Sequence, residues 1–285
     1  MILDGKKIAE EILRDLKVKV DALQKKRPPL LAFLLIGENP ASHLYVKYKT
    51  KACERIGIQT RGFQFSKEIS QKEVLKHIQA LNLDSAVDGI LVQLPLPPHL
   101  NTQEIIEAVD PQKDVDGFHP FNIGRLLLGY EPYFVPCTPL GIQEMLKRSS
   151  IPVAGKHVVI MGRSNIVGKP LAALLMQKNK EANATVTLVH SYTQNMDLIT
   201  ATADILIAAM GSPEFVQSAM IKQGAVIIDV GINRHCGKIV GDVLFDEVNP
   251  KAAHITPVPG GVGPMTIAML LSNTFKSYSL KEHLT

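Results

Sequence analysis

KHVVIMGRSNIVGKP, residues 156–170, predicts a buried strand, a glycine turn and the start of a helix in direct succession. A turn of this kind can cradle a phosphate, because the first N–H groups of a helix lack acceptors within the helix. The spacing is not a standard GxGxxG, since Ser164 holds the second glycine position and the last glycine is shifted. An ordinary β–α turn is therefore the alternative interpretation of this segment.

The predicted strand that follows, residues 184–190, indicates which dinucleotide would bind. An NAD site usually has an acidic residue at the end of this strand, where it binds the ribose 2′-hydroxyl. Here the chain continues as HSYT (190–193), without a carboxylate. A hydroxyl at Ser191, together with Arg163, suits a 2′-phosphate, so NADP is favoured over NAD. The histidine at the strand end is assigned no chemistry.

Strands and helices alternate on both sides of the glycine turn. The predicted strands are 30–36, 59–65, 88–94, 156–161, 184–190, 204–209 and 225–230. The predicted helices include 5–26, 42–56, 168–178, 194–203, 216–222 and 264–279, and Ser70 with Glu73 forms a capping box for a further helix. This alternation predicts parallel sheets covered by helices, with ligand-binding loops at the carboxyl ends of the strands. The proline-rich stretch 111–138 is the predicted junction between two domains.

Composition excludes several classes of function. The 285 residues are 46% hydrophobic and 20% charged, which is typical of a soluble globular protein with room for two domains or for one large α/β domain. A net charge of +4 without an arginine-rich run argues against a nucleic-acid partner. Three widely spaced cysteines, Cys53, Cys137 and Cys236, predict no zinc site and favour a reducing compartment. Without a signal sequence or an apolar run of ~18 residues, we expect a cytoplasmic protein with no membrane partner.

One lysine of the predicted helix 42–56 lies on its apolar face. At helical spacing, the residues that share this face are Tyr45, Lys49, Ala52, Cys53 and Ile56. Burial disfavours a charged ammonium, and this is how a lysine becomes a general base near neutral pH. The alternative is a lysine that buries only its aliphatic stem and keeps its charge in water, and the helix pattern by itself slightly favours that alternative.

Three further segments carry candidate ligand contacts. Gln93 lies at the end of the third predicted strand, where its amide can reach a ligand or Lys49. One of the two acids of the sequence DVDG, Asp114 or Asp116, could accept two N–H donors from a heterocycle, or could simply form a turn before the glycine. In PVPGGVGPMT, residues 257–266, the glycines leave the main chain uncovered, so that a flat ligand can lie against it. A tight loop that needs small residues is the alternative there.

Seven motifs, in one order along the whole chain, carry a resemblance to a known family. They are YVKYK (45–49), VQLPLP (92–97), DVDGFHP (114–120), PCTP (136–139), GRSNIVGKP (162–170), DVGIN (229–233) and ITPVPGGVGPMT (255–266). Together they resemble the bifunctional methylenetetrahydrofolate dehydrogenase/methenyltetrahydrofolate cyclohydrolase family. Some members carry a formyltetrahydrofolate ligase domain, for which 285 residues leave no room.

The resemblance implies a role for each candidate residue. It makes Lys49 the central catalytic residue, supported by Gln93, with Tyr45 stacking on the folate and Asp116 holding the pterin ring. The implied folate contacts are Tyr45, Lys49, Val92, Gln93, Leu94, Asp116, Pro259, Gly260, Gly261, Val262 and Gly263. The implied NADP contacts are Gly162, Arg163, Ser164, Ser191 and Ile232. No metal site is implied.

The resemblance also implies a reaction and an architecture. We expect oxidation of 5,10-methylenetetrahydrofolate to 5,10-methenyltetrahydrofolate with NADP⁺, then hydrolysis to 10-formyltetrahydrofolate, with a polyglutamylated folate as one form of the substrate. The expected fold is α/β with two domains and a cleft between them. Residues 1–120 form the folate-binding catalytic domain, on which the last helix, 264–285, packs back. Residues 121–285 form a Rossmann-like NADP-binding domain, and the family implies a homodimer.

Two other classes of protein share part of this pattern. Another NADP-dependent dehydrogenase, acting on a hydroxy or amino acid, would need a His or Lys acid/base in the cleft of the second domain, and no histidine is clearly placed there. A non-catalytic nucleotide-binding module would keep the 162–170 turn. It would have no reason to bring Lys49, Gln93 and Asp116 to one edge, and it would bind NADP without turnover.

Overall fold

The chain divides into two compact units. The computed structural model describes residues 1–23 and 26–284 of the 285-residue chain. The three-stranded unit comprises Glu11–Arg125, Glu131–Cys137 and Ile267–Thr285, and the five-stranded unit comprises Met1–Glu10, Leu126–Tyr130 and Thr138–Thr266. Each unit is therefore assembled from segments that lie far apart in the sequence.

Parallel strands form the sheet of the three-stranded unit. They are β1 (Leu30–Ile36), β2 (Gln59–Phe65) and β3 (Gly89–Val92), in the order β2-β1-β3. The apolar sequence of β1 is buried on both faces, as the middle strand of a parallel sheet requires. The predicted bounds of β1 and β2 are confirmed. β3 is shorter than the predicted 88–94, because the chain turns towards Pro95, which has no N–H to donate to a ladder.

The five-stranded unit has a larger parallel sheet and a short hairpin. The sheet contains β4 (His157–Met161), β5 (Thr185–Val189), β6 (Ile205–Ala208), β7 (Val226–Asp229) and β10 (His254–Ile255), in the order β10-β7-β6-β4-β5. The hairpin pairs β8 (Asn233–His235) with β9 (Lys238–Val240) in antiparallel register. β4 pairs with β5 on one side and β6 on the other, so the order of the strands reverses beside β4. Ligands bind at such a switch point, outside the carboxyl ends of the strands.

The described helices agree with the predicted pattern in part. In chain order they are α1 (Gly5–Asp21), α2 (Pro40–Ile56), α3 (Gln71–Leu83), α4 (Thr102–Glu107), α5 (Pro120–Leu127), α6 (Cys137–Arg148), α7 (Gly168–Leu175), α8 (Met196–Thr200), α9 (Phe245–Val248) and α10 (Val262–Lys281). Residues 24–25 of the predicted helix 5–26 lie outside the described residues. The predicted capping box at Ser70 and Glu73 is confirmed. No helix in the described part of the chain is both long and apolar enough to cross a membrane.

The predicted helix over 216–222 is wrong. Within this range only residues Ser218–Met220 are helical, and they form a single 3₁₀ turn. Val216 N instead donates to Asp242 O over 2.9 Å, in a parallel bridge that pairs Val216 with Val243. This bridge holds the segment extended at the point where the helix would have to begin.

The end of α10 belongs to the interior of the three-stranded unit. Tyr278 is fully buried, and Ser277 Oγ lies 2.6 Å from the carbonyl oxygen of Asp88 and 3.0 Å from that of Gln112. Arg27 binds the buried Asp88 carboxylate through both terminal nitrogens, at 2.6 and 2.7 Å, and its guanidinium lies 5.0 Å from the Tyr278 ring centroid. The helix thus completes a core whose sheet lies about two hundred residues earlier in the chain.

Candidate active site

Helix α2 begins earlier than the sequence pattern predicts. The side chain of Asn39 accepts hydrogen bonds from Ala41 N over 2.9 Å and from Ser42 N over 3.2 Å, so Asn39 is the N-cap. Pro40 occupies the first helical position, where its fixed φ and missing N–H are tolerated. The helix therefore begins two residues before the predicted residue 42, and it ends at Ile56 as predicted.

The face of α2 that the spacing singled out points into the three-stranded unit. Cys53 and Ile56 are buried, and Tyr45, Lys49 and Ala52 are half-buried. Burial raises the pKa of the Tyr45 hydroxyl above its ordinary value and that of the Cys53 thiol to about 12. The tyrosine ring and the lysine ammonium therefore share an environment from which water is partly excluded.

Gln93 fixes the position of the Lys49 ammonium. Lys49 Nζ donates to Gln93 Oε1 over 3.0 Å. Gln93 N donates to Leu34 O over 2.9 Å, which extends the β1–β3 ladder by one residue beyond the buried Val92. Gln93 Nε2 donates to the carbonyl oxygen of the half-buried Leu94 over 2.7 Å, so the amide oxygen faces the lysine. The structure thus brings two predicted site residues into direct contact.

Asp116 lies within the electrostatic influence of this lysine. Water is largely excluded around the Asp116 carboxyl group, and this raises its pKa above the ordinary value. The positive charge of Lys49 and the thiol of Cys137 both oppose the shift. Lys49, Gln93 and Asp116 therefore form one cluster of polar groups, which we call the Lys49 cluster.

Asp114, the other acidic residue of the DVDG sequence, is used within its own loop. It is buried, Oδ1 accepts from Phe118 N over 3.2 Å, and Oδ2 accepts from His119 N over 2.8 Å and from Asn122 Nδ2 over 3.0 Å. Burial nevertheless raises the pKa of Asp114 to about 7. With its oxygens committed to these donors, Asp114 is less suited than Asp116 to bind a ligand.

Two residues without a role in the sequence analysis hold the Asp116 segment. Cys137 Sγ donates to Val115 O over 3.2 Å, and Cys137 N donates to Asp116 O over 3.3 Å. Asn273, on α10, donates through Nδ2 to Val115 O over 2.9 Å and to Val135 O over 3.1 Å. The PCTP motif could have drawn attention to Cys137, but nothing in the sequence connects residue 273 with residue 115.

The glycine turn after β4 needs a residue without a side chain at its first position. Gly162 has φ +116°, and a Cβ atom there would collide with the carbonyl group of Ala209, which follows β6. Gly162 N donates to Val189 O over 2.8 Å, which continues the β4–β5 ladder. The turn is therefore held between the strands on either side of β4, at the switch point of the sheet.

Ser164 arranges the rest of this turn. Its Oγ accepts from Val167 N over 3.1 Å and from Gly168 N over 3.4 Å, just where α7 begins. Across the described part of the chain, the backbone N–H groups of residues 163–166 find no acceptor. Unpaired backbone N–H groups in a turn that leads into a helix are a ready binding site for an anion such as a phosphate.

Arg163 and Ser191 lie on the exposed side of the same edge. The Arg163 guanidinium is 5.9 Å from the ring centroid of Tyr192, which is 83% exposed, and Ser191 is exposed beside it. β5 ends at Val189 and is followed by no carboxylate. A cation and a hydroxyl at this position are the groups that a 2′-phosphate would require.

Ile232 and the turn at 259–263 meet within the five-stranded unit. Ile232 is half exposed, and its Cδ1 lies 3.8 Å from the position that a Cβ on Gly263 would occupy, in the first turn of α10. Gly260 O accepts from Lys6 N over 2.9 Å, so the N-terminal segment fixes the turn. Pro259 and Gly260 are partly or fully exposed, whereas Gly261 and Val262 are buried.

Sequence reasoning missed two buried carboxylates at the edge of the five-stranded sheet. Asp229 ends β7, and Asp242 follows β9. Burial raises the pKa of Asp229 to about 6, although hydrogen bonds from three backbone N–H groups oppose the shift. The DVGIN motif contains Asp229, but the partners of Asp242 lie about thirty residues before it and could not be read from the local sequence.

A parallel sheet with an anion-accepting turn, and a second α/β unit with the Lys49 cluster, define a nucleotide-dependent enzyme of two domains. The family of tetrahydrofolate dehydrogenase/cyclohydrolase catalytic domains matches residues 3–116, and the corresponding NAD(P)-binding domain family matches residues 136–282. The chain therefore belongs to the tetrahydrofolate dehydrogenase/cyclohydrolase family. The predicted family and the two-domain α/β fold class are confirmed.

Individual relatives agree with this assignment over their full length. The bifunctional protein FolD of Protochlamydia amoebophila is 52% identical, with 100% of this chain and 99% of the relative covered. The crystal structure of the bifunctional FolD enzyme of Campylobacter jejuni is 50% identical, covers 98% of this chain and 99% of its own, and superposes with a TM-score of 0.95. A Trypanosoma brucei FolD, crystallised with NADP and an inhibitor, is 37% identical over 98% of this chain and 97% of its own, with a TM-score of 0.93.

Proposed function

We propose that this chain oxidises 5,10-methylenetetrahydrofolate to the methenyl cation with NADP⁺ and then hydrolyses the cation to 10-formyltetrahydrofolate. Membership of the family supports the two activities. The observation that carries the residue assignment is the 3.0 Å hydrogen bond from Lys49 Nζ to Gln93 Oε1 in a partly buried setting beside Asp116. The domain division at residue 120 and the homodimer stay predictions, and sedimentation velocity would test the second.

We assign the proton transfers of the hydrolysis to Lys49. Water must lose a proton as it attacks the methenyl carbon. A ring nitrogen must gain one as its bond to that carbon breaks, and the hydroxyl of the adduct releases its own proton to solvent as the formyl C=O forms. A neutral Lys49 amine can take the first proton and, once charged, deliver the second. Gln93 Oε1 accepts a hydrogen bond from only one N–H group of the amine. This hydrogen bond holds the lysine nitrogen in place during both transfers.

The folate ring is assigned to Asp116 and Tyr45. The Asp116 carboxylate can accept two N–H donors from the amino group and ring nitrogen of the pterin, which matches the two oxygens of the acid. Tyr45 lies one helical turn before Lys49 on the same face and offers its ring for stacking. Val92 and Leu94 are proposed to line the folate site, and the folate contacts implied for the turn at 259–263 stay a prediction.

The dinucleotide is assigned to the edge of the five-stranded sheet. The free N–H groups of residues 163–166 suit its phosphates, and Arg163 with Ser191 suits the 2′-phosphate of NADP. Gly162 lets the backbone approach closely, and Ile232 offers an apolar contact for the nicotinamide end. When bound, NADP⁺ supplies the hydride acceptor, and the task of the protein is to hold the reacting groups face to face.

A spectrophotometric assay with 5,10-methylenetetrahydrofolate tests the proposal. We expect cofactor reduction with NADP⁺ in preference to NAD⁺, followed by enzyme-dependent decay of the methenyl chromophore. Reduction without accelerated decay would leave a dehydrogenase alone and would remove the role of Lys49. No reduction with either cofactor would contradict the whole proposal.

Replacement of Lys49 separates the two activities. We expect Lys49→Met to lower the cyclohydrolase rate by about 10²–10⁴-fold, the usual contribution of a general acid–base group, and to lower hydride transfer less. Lys47→Met is the matched control, because Lys47 is exposed on another face of α2. Equal losses of both activities, or wild-type cyclohydrolase activity in Lys49→Met, would contradict the assignment.

A further inference from the structure

The carboxylate of Asp242 joins two loops at the edge of the five-stranded sheet. Asp242 is fully buried. Its Oδ2 accepts from Met210 N over 2.6 Å and from Gly211 N over 2.9 Å. Its Oδ1 accepts from Ser212 N over 2.9 Å and from Asn233 Nδ2 over 2.8 Å. The first three donors lie in the loop after β6, and the fourth lies in the segment after β7.

Asp242 is itself held by a second carboxylate. Asp229 Oδ1 accepts from Asp242 N and from Gly231 N, both over 2.9 Å, and Oδ2 accepts from Val243 N over 3.0 Å. A Cβ atom on Gly231 would collide with the Asp242 carboxylate, so this position has room only for glycine. Asp229, at the end of β7, thus holds the backbone at residue 242, and the Asp242 carboxylate in turn holds the loop after β6.

These loops flank the proposed dinucleotide position. In the sheet register Met161 is level with Ala208, and Ala208 is level with Asp229, so the loops after β4, β6 and β7 leave the sheet side by side. The Ala209 carbonyl lies directly against Gly162. Ile232, the proposed nicotinamide contact, stands between Gly231 and Asn233, which Asp229 and Asp242 respectively hold.

Asp242 has no oxygen to spare for a ligand in this arrangement. Its four donors already use both oxygens, and those donors include the backbone N–H groups of residues 210–212. These N–H groups are therefore not available to a phosphate, in contrast to those of residues 163–166. Any effect of Asp242 on cofactor binding must act through the loops that it holds.

We infer that Asp242 is a positioning residue for the cofactor, fixing the 210–212 loop and the Ile232 segment as the two walls of the nicotinamide end of the site. The inference rests on the proposed NADP-dependent activity. A wall held by charge-assisted hydrogen bonds is preorganised, so binding does not have to order it. Loss of the carboxylate charge should therefore weaken cofactor binding and leave the Lys49 cluster unaffected.

The inference is tested by exchanging the amide and the carboxylate that share the hydrogen bond between Asn233 and Asp242. Asp242→Asn presents an amide N–H₂ group to donors that need an acceptor, and Asn233→Asp presents a second carboxylate to Asp242. The double variant, Asp242→Asn with Asn233→Asp, restores one donor–acceptor pair in the opposite sense and keeps the net charge. Asp246→Asn is the matched control, because Asp246 is an exposed carboxylate in α9 of the same unit.

We expect each single variant to raise the KM for NADP⁺ and the Kd for NADPH, measured by fluorescence, by roughly ten- to a hundred-fold, as for lost hydrogen bonds to a charged group. The double variant should recover at least about fivefold of that loss, and the cyclohydrolase rate should stay within about twofold of wild type throughout. A residue that merely stabilised the fold would lower the melting temperature and the yield of active protein, and it would leave KM and Kd unchanged.

Two results would overturn the inference. One is a KM for NADP⁺ and a Kd for NADPH within about twofold of wild type in both single variants. The other is a double variant no better than the worse of the two singles. If Asp242→Asn does not fold, Asn233→Asp alone still places two carboxylates face to face and is judged by the same binding measurement. Because NADPH binding is measured without turnover, absence of wild-type turnover would contradict the proposed function and not this inference.

Discussion

Asp114 and Asp116 lie two positions apart, and their surroundings separate their roles. Asp114 is buried and its oxygens accept three hydrogen bonds from its own loop, whereas Asp116 lies beside Lys49 and Cys137. Burial raises the pKa of both carboxyl groups, and that of Asp114 to about 7. At the scale of single residues, the same sequence motif thus supplies one acid that shapes the loop and one that can face a ligand.

The raised pKa of Asp114 predicts a pH dependence of stability. The folded chain holds the proton more tightly than the unfolded chain, so the contribution is full below about pH 4 and is lost as the pH rises towards 7. At about 1.4 kcal/mol per pKa unit, the loss is at most a few kcal/mol. Asp114→Asn carries no titrating proton and should remove this slope, at a cost of about 1 kcal/mol from the lost hydrogen bond.

Urea unfolding of wild type and Asp114→Asn, at about pH 4.5 and about pH 7.5, measures this difference. The difference between the two proteins isolates Asp114 from Asp116 and Asp229, whose pKa values are also raised. Parallel pH profiles for the two proteins would contradict the prediction.

At the scale of elements, α10 connects parts of the three-stranded unit that no local pattern links. Asn273 is 4% exposed, and its side-chain amide donates hydrogen bonds to the carbonyl groups of Val115 and Val135. Ser277 lies one turn later, and its hydroxyl donates to the carbonyl groups of Asp88 and Gln112. Polar groups on one face of a mostly apolar helix thus fix the loop that carries Asp116.

Replacing Asn273 should therefore affect both stability and folate binding. Asn273→Leu leaves two buried carbonyl groups without this donor, so we expect a loss of about 1–3 kcal/mol in the free energy of unfolding and a raised KM for the folate substrate. Ser272→Ala is the control, since it removes only a hydrogen bond to Ala268 O within the helix. Equal effects of the two substitutions, by denaturant unfolding and steady-state kinetics, would refute the expectation.

The elements that the sequence predicts well are those with a strong local signal. The apolar run of β1 and the capping box of α3 are confirmed to the residue. The helix α6 was not predicted, because Pro136 and Pro139 suggested a junction, although a proline in the first turn is compatible with a helix. The spacing on α2 placed Lys49 correctly, but the hydrogen bonds of Asp242 and Asn273 join residues distant in sequence, and such partners emerge only from the fold.

At the scale of the whole molecule, the proposed chemistry is divided between the units. The groups assigned to the dinucleotide lie in the five-stranded unit, and the Lys49 cluster lies in the three-stranded unit. The catalytic-domain match, residues 3–116, contains the Lys49 cluster, and the NAD(P)-binding match, residues 136–282, contains the groups assigned to the dinucleotide. Binding of the cofactor alone should therefore slow backbone hydrogen exchange mainly in the five-stranded unit.

Hydrogen exchange with and without NADP⁺ tests this division. At a cofactor concentration about 100 times its Kd, binding stabilises the native state by about 2.7 kcal/mol. We expect exchange to slow most at residues 162–168 and 230–233, and to slow less in β1, which has no proposed cofactor contact. Protection that appeared first in β1 and β3, with residues 162–168 unaffected, would contradict the proposed placement of the dinucleotide.

The position of α10 also has a consequence for how the chain is made. Synthesis proceeds from the N-terminus, so every segment of the five-stranded unit has been joined once residue 266 is added. The three-stranded unit contains β1 to β3, made early, but it lacks its closing segment, Ile267–Thr285, until after the five-stranded unit has all its segments. Its sheet therefore cannot complete its core before α10 has been synthesised, and a chain cut before residue 267 would yield a three-stranded unit without its closing helix.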